Sequence, residues 1–484
     1  MIKKKPSAFK SLMLFTANRY FVNVLQMVRG LIIAKYLGPY YFGVWGFLTI
    51  ALQYLSYSNL NVENGVTVLL SVGNKKEERD VSDVSSTAIM SSVVVGLLLL
   101  FAGGILKIGN VELFPKFEFN SYIIFILLIT FLSNIQRVLT NIQRVKKALN
   151  KIAIVETTTN LLLLGSAFIF KEERLIIAQL SCMLLTNVLA IIIYSFGHPF
   201  SIHWRIKLPS LKKLFDISFP LFIYNVSFYL ITLSARTVLS AFYSVAQLGY
   251  YTLAYSISNA ILLGFRSIAW AIYPEVLAKL QHGIDISEVK ANIDKINRIY
   301  STAVNFALYA LILLLPLLLE FVPQYKSAFP TIVILLLAQG FLTISFGFNS
   351  LAVSRNEQGK VAKISVLIVA IVTAASLGVS WLKMDYIYIA IAVLVGSLVY
   401  TILQTRLGLQ ILEIKENLFA EYQKLLPVGS MLAFAAFFIS AFSAKPYLWG
   451  IMGFVIFIIF SLKQIKELYF FVTRRRSGSQ EKSA

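Results

Sequence analysis

Runs of about twenty apolar residues recur along this chain, and each is long enough to cross about 30 Å of hydrocarbon at about 1.5 Å per residue. Of the 484 residues, 58% are hydrophobic and 14% charged, whereas soluble domains hold about 45–50% apolar and about 25% charged residues. The expected fold is therefore an all-α membrane protein with about fourteen transmembrane helices. The helices are read at about 12–36, 42–66, 84–107, 120–142, 152–170, 175–196, 214–240, 247–272, 299–320, 328–350, 361–382, 386–407, 426–443 and 446–465. The last two lie near the lower length limit, and twelve spans is the alternative count. The start, Met1-Ile2-Lys3-Lys4-Lys5, has the positive charge of a signal peptide. Asn18, Arg19 and Asn23 interrupt the apolar run behind it, so the segment is expected to stay in the mature chain.

A net charge of +21 raises nucleic acid as a partner. The basic residues gather instead in alternate connections between apolar runs, where Lys and Arg set membrane orientation. Lys3, Lys4, Lys5 and Lys10 begin the series, Arg144, Lys146, Lys147 and Lys151 continue it, and Arg474, Arg475 and Arg476 close it. The intervening loops are poor in such residues. Both termini are thus expected in the cytoplasm of a multi-pass inner-membrane protein, with no nucleic-acid role. No external loop exceeds about a dozen residues, which leaves no room there for a catalytic domain, and the chain is read as a non-enzyme. The one cysteine, Cys182, lies within an apolar run, so neither a disulfide nor a thiolate metal cluster is expected. His198, His203 and His282 have no partners at ligand spacing and carry no assigned role.

Two stretches of the chain match at a constant offset. Phe42-Gly43-Val44-Trp45 answers to Leu248-Gly249-Tyr250-Tyr251, and the same shift lays Arg19, Asn23 and Gln26 onto Asn225, Tyr229 and Thr232. Each set falls at i, i+4 and i+7 and forms one stripe on its helix. The second stripe continues to Arg236, and the next helix has a polar face through Tyr255, Asn259, Arg266 and Trp270. The chain is accordingly divided into a six-helix bundle at 1–196, a cytoplasmic linker at 197–213 and a second six-helix bundle at 214–407. An amphipathic linker at 408–425 and a helix pair with a basic tail at 426–484 complete it. The two bundles are expected to be a parallel repeat.

Arg19, Arg29, Arg236 and Arg266 fall inside the expected spans, where an arginine costs roughly 2.5–3.5 kcal/mol on insertion scales. Snorkelling to headgroups competes with a cavity role at Arg137 and at Arg29 alike. Arg19 and Arg236 share stripes with polar residues, which favours a protein-lined, water-filled space. Acidic residues within spans are few, Glu63, Glu156 and Glu320 among them. A cationic lining suits an anionic ligand, and guanidinium suits phosphate in particular. The candidate substrate-binding set is Arg19, Asn23, Gln26, Arg29, Asn225, Tyr229, Arg236, Asn259 and Arg266.

Leu37-Gly38-Pro39-Tyr40-Tyr41-Phe42-Gly43 resembles the turn after the first helix of the polysaccharide transporter family, which includes the O-antigen and capsule repeat-unit flippases. Phe219-Pro220-Leu221, Leu248-Gly249-Tyr250-Tyr251-Thr252-Leu253-Ala254 and Tyr273-Pro274 resemble its second-half segments. The resemblance implies the multidrug/oligosaccharidyl-lipid/polysaccharide exporter fold, two bundles around a V-shaped cavity, and alternating access. It implies an undecaprenyl-pyrophosphate-linked oligosaccharide as cargo, with Arg19, Arg236 and Arg266 as cations for the pyrophosphate. It further implies no cofactor, a proton or sodium gradient as coupling source, and polysaccharide polymerase and chain-length proteins as partners. Many relatives place an acid after an arginine in the seventh helix; here Arg236 is followed by Thr237, which puts a carboxylate-coupled mechanism in doubt. The alternatives are a lipid II flippase, a multidrug/cation antiporter and a membrane polymerase or ligase. The antiporter is disfavoured by the absence of an acid in the first helix.

Overall fold

The computed structural model describes residues 8–71, 78–196, 203, 205–278, 280, 285–415 and 417–480. Side chains of 8–14, 16, 78–80, 261–264, 266–275, 277, 278, 418 and 468–480 lie outside the described set. The described residues are helical, without strands: α1 (Ala8–Ser56), α2 (Val62–Ser71), α3 (Glu78–Ile108), α4 (Phe119–Val145), α5 (Leu149–Ile169), α6 (Glu172–Ser195), α7 (Leu208–Phe242) and α8 (Val245–Ala278). Then come α9 (Ile286–Phe321), α10 (Phe329–Ile344), α11 (Phe346–Ser354), α12 (Gln358–Trp381), α13 (Ile387–Ile411), α14 (Leu418–Leu425), α15 (Val428–Phe442) and α16 (Pro446–Gln480). Among the described residues, eleven stretches are long and apolar enough to cross a membrane, or twelve if the bent α14–α15 pair is one span. One of them, Ala17–Asn59, is two helices joined at a kink, and α8, with 34 residues, is of spanning length as well. Those two additions bring the spans to the expected about fourteen.

The kink has a local cause. Gly38 sits at φ 65°, ψ 174°, a backbone region essentially restricted to glycine. Pro39 then restarts the helix from a position where its missing N–H removes nothing. The expected helix at 42–66 is broken once more, by a 3-10 turn at Tyr57–Asn59 followed by left-handed Leu60 and Asn61. Polar side chains surround that break. Asn59 donates to Glu63 Oε2 (3.3 Å), Ser92 donates to Asn59 Oδ1 (3.0 Å), and Asn134 donates to Ser58 Oγ (3.3 Å). Within a bilayer, broken backbone persists only where protein or enclosed water satisfies it.

By its internal contacts the chain forms two compact units, one of residues 1–226 with 244–252, the other of 227–243 with 253–484. Both α7 and α8 thus contribute to each. In the first unit the backbones of α1 and α8 nearly touch. A Cβ on Gly43 would lie 1.9 Å from the Val245 carbonyl oxygen, and one on Gly249 would lie 1.9 Å from that of Pro39. The two matched segments of the sequence are therefore apposed through their glycines. The segment before α7 is tied to α3: His203 N–H donates to Ser86, Lys207 N–H to Thr87, and the Lys207 ammonium pairs with Asp83.

In the second unit α10 is the central post, buried almost without interruption from Thr331 to Leu342. The terminal pair packs against α9, where Tyr309 donates to the Ser430 carbonyl (3.0 Å) and stacks on Phe437. The run at 328–350, expected from its hydropathy to be one helix, breaks at Ser345, where Asn297 accepts the Gly347 N–H at 2.9 Å. At 408–425, α13 continues to Ile411, and only α14 forms a separate amphipathic helix. An apolar cluster of Val276, Leu280, Val289, Ile293, Leu412 and Leu425 lies beneath it.

Candidate functional site

In the first unit the polar stripe of α1 leans on α5. The Arg19 guanidinium pairs with Glu156 Oε1 at 3.2 Å and lies 5.0 Å from the Phe15 ring centroid. Its neighbour Asn18 donates to the Ala153 carbonyl (3.4 Å) and accepts from Thr157 (2.7 Å), while Asn160 donates to the Glu156 carbonyl (2.8 Å). Together these bonds fix the rotation of α1 against α5 and with it the direction in which Arg19 points. Arg144, on the last turn of α4, is close enough to repel Arg19, and Tyr194 of α6 interacts electrostatically with both Arg19 and Glu156. Arg19 remains 39% exposed and Glu156 27%. The pair thus presents a half-accessible guanidinium, whose flat fork can donate to an anionic oxygen in its plane.

The other expected residues are distributed as follows. Asn23 and Gln26 are half-buried on α1 beyond Arg19. Arg29 is half-buried; its Nε has no hydrogen-bond partner among the described residues, and it interacts with the Cys182 thiol of α6. Asn225 lies on α7 in the first unit, and Tyr229, 39% exposed, lies on α7 in the second. Arg236, also in the second unit, is buried to 2% exposure with its guanidinium 4.4 Å from the Tyr255 ring centroid. Such a cation–π contact stabilises a desolvated cation by about 2 kcal/mol. At that burial Arg236 is closed to a ligand in this structure. Asn259 is half-buried on α8, and the Arg266 side chain lies outside the described residues. Within its own unit the structure brings Arg19 together with Glu156 and Arg144, and Arg236 together with Tyr255.

Two charge pairs are invisible in the sequence. Glu156 stands out there only as a rare acid, and nothing ties it to Arg19, 137 residues away. Arg137, open on its sequence to snorkelling or to a cavity role, donates to the Ser56 carbonyl (3.0 Å) and to Asn134, with Glu63 Oε1 at 3.9 Å. It belongs to the polar cluster at the broken end of α1. Among the described residues no three His, Cys, Asp or Glu side chains converge to hold a metal ion.

A model of the family described as "Polysaccharide biosynthesis protein" matches residues 32–322, more than half of the chain. The chain belongs to this family. The match runs from within α1 to the end of α9 and includes Glu63, Arg137, Glu156, Arg236 and Arg266. None of the curated proteins matches by sequence. The lipid II flippase MurJ in its inward closed conformation has a similar fold, with a TM-score of 0.70, 16% identity, and 94% of this chain and 100% of MurJ covered. A multidrug resistance MATE family transporter of the MOP superfamily, inward-facing, gives 0.59 at 13% identity over 85% and 96% of the two chains. A MOP superfamily transporter from Pyrococcus furiosus, whose binding pocket is described as reversed in polarity, gives 0.55 at 13% identity over 85% and 98%. This family member therefore has a multi-pass membrane transporter fold.

The α4–α5 turn adds a titratable group next to the site. Burial and the like charge of Lys151 lower the Lys146 ammonium from 10.5 to about 8. The folded chain then binds this proton less tightly than the unfolded chain, so this group's contribution to stability improves as pH rises from about 8 towards about 10. Amine acylation followed by mass spectrometry is expected to give a Lys146 midpoint near pH 8, moving upward in Lys151→Met. A midpoint indifferent to that substitution removes the charge–charge part of the explanation.

Proposed function

We propose that the protein is a flippase that carries an undecaprenyl-pyrophosphate-linked oligosaccharide from the cytoplasmic to the outer leaflet of the inner membrane by alternating access. The observation that carries this reading is the half-exposed Arg19 guanidinium, oriented by α5 within a membrane span and close to a second guanidinium, Arg144. A pyrophosphate supplies the planar, charge-assisted acceptors such a group favours. Burying arginine in a span is tolerated where it serves a ligand path. A multidrug cation is a poorer fit, because the carboxylate beside the stripe, Glu156, is already paired with Arg19. Lipid II carries the same pyrophosphate and differs in its sugar, so it is the alternative cargo. With the basic loops inside, both termini face the cytoplasm.

Arg19→Ala is expected to lower complementation of a repeat-unit flippase-deficient strain by about ten- to a hundredfold, the loss of a charged hydrogen bond of about 1.5–3 kcal/mol. Arg236→Ala is expected to act in the same direction, and Arg19→Lys to retain part of the activity. Wild-type surface polysaccharide in both alanine variants, at normal protein levels, rules the mechanism out. Rescue of cells depleted of their lipid II flippase, without rescue of the first strain, selects the alternative cargo.

A further inference from the structure

Beyond that reading, the outer face of the first unit carries a trough of about 530 Å³ between α5 and α6. Ser166 of α5 and Phe170, just past its end, form one side, and Arg174, Ile177, Cys182 and Leu185 of α6 the other. With Ala178 and Ser181, the α6 residues fall at three- and four-residue spacings and so share one helix face. Phe170, Ile177 and Leu185 are 39%, 41% and 54% exposed, which on membrane-spanning helices means exposure to lipid. Small side chains at Ala178 and Ser181 leave the hollow between the larger ones.

The charges at its mouth are sorted by direction. Lys171 lies over the Tyr36 ring at 5.7 Å, and Glu172 and Glu173 interact with Tyr41, Glu173 with Tyr122 as well. All three therefore engage α1, and Glu173 engages α4 as well. Arg174 lines the trough, and among the described residues no hydrogen bond or ion pair ties it elsewhere. It stands in the first turn of α6, at one end of that span, where a spanning helix meets the headgroups. From Arg174 to Leu185 the helix descends about 16 Å at about 1.5 Å per residue, close to half of the roughly 30 Å hydrocarbon core. The trough thus has the length of one leaflet, an apolar bed and a single cation at its polar end.

We propose that this trough binds one anionic phospholipid of the leaflet opposite the basic loops, its acyl chain along α6 and its phosphate on Arg174. The volume suits one acyl chain rather than the whole lipid, since pockets for drug-sized ligands measure about 300–1,000 Å³. The charge selects the headgroup: one basic side chain at an anionic membrane surface is worth about fivefold in binding.

The full-length protein in lipid nanodiscs, photolabelled by phosphatidylglycerol with a diazirine in its acyl chain, tests this. Adducts on 166–185 are expected to exceed those on the lipid-facing Val366, Leu367 and Ile371 of α12 by about fivefold. Arg174→Gln is expected to abolish that excess while leaving α12 labelling unchanged, which also certifies the fold. A phosphatidylcholine probe is expected to label both segments alike. Equal labelling by the anionic probe, an excess that survives Arg174→Gln, or the same excess with phosphatidylcholine overturns the proposal. So does oxidative cross-linking of two copies through Cys182, the single cysteine of the chain, because the face then belongs to a second copy.

Discussion

Replacing Glu421 with alanine is expected to destabilise the second unit by about 3–5 kcal/mol, the range for leaving a buried charge without its partner. Glu421 is 1% exposed and Lys290 10%. Lys290 donates to Glu421 Oε1 and to Asp294 Oδ1, each at 2.6 Å, while Lys424 donates to Glu421 Oε2 at 3.1 Å and lies 3.6 Å from Asp294 Oδ2. Signs alternate around this group, so every charge faces an opposite one. Removing Glu421 leaves two lysines on one aspartate, with Lys290 still out of water. The pair also holds α14 over the apolar cluster that contains Leu425, and its loss should free the 411–428 segment. Limited proteolysis and thermal unfolding in detergent report both effects, and Glu421→Gln, which keeps an acceptor without the charge, should fall between. Unchanged stability of Glu421→Ala would mean that the cluster adds nothing beyond what water supplies.

The second large effect is steric. Gly249→Ala is expected to reduce accumulation in the membrane, and Gly249→Leu to prevent it. The added carbon meets the Pro39 carbonyl oxygen at 1.9 Å and the Gly43 nitrogen at 3.1 Å. These are backbone atoms, which cannot rotate away as a side-chain end can, so the cost should exceed the usual 1–3 kcal/mol or so of overpacking. Gly43→Ala meets the Val245 carbonyl in the same way and should behave alike. Gly165 and Gly378 have nothing within 4 Å of an added Cβ. There the same substitution should be neutral or stabilising by about 0.5–1 kcal/mol, because alanine loses less chain entropy in a helix. Membrane levels of the four alanine variants separate the two classes, and equal levels would refute the close approach.

Apolar runs and the Leu37-Gly38-Pro39 turn are readable in the sequence because hydropathy and glycine chemistry act locally. The environment of each span is not. The α3 span is more apolar than the one holding α10, yet 28% of the first is buried and 89% of the second. Lipid tails and protein cores are alike to a leucine, so composition cannot separate them. The arginine stripe of α1 is visible from spacing, whereas its partner is not, because Glu156 reaches Arg19 only through the packing of α5. Arg137 escapes a sequence reading for the same reason: its anchors Ser56, Asn134 and Glu63 converge only where the helix breaks, and no periodicity marks that break. Lys290 and Glu421, 131 positions apart, are a further instance at the second unit's polar end.

The glycine apposition has a consequence for biogenesis. Because residues 244–252 belong with 1–226, six helices released by the translocon are still an unfinished object. Until the ribosome has delivered Gly249, the Gly43 surface of the nascent chain has no occupant of its own, and insertion order, rather than the six-span boundary, decides when the first unit can close.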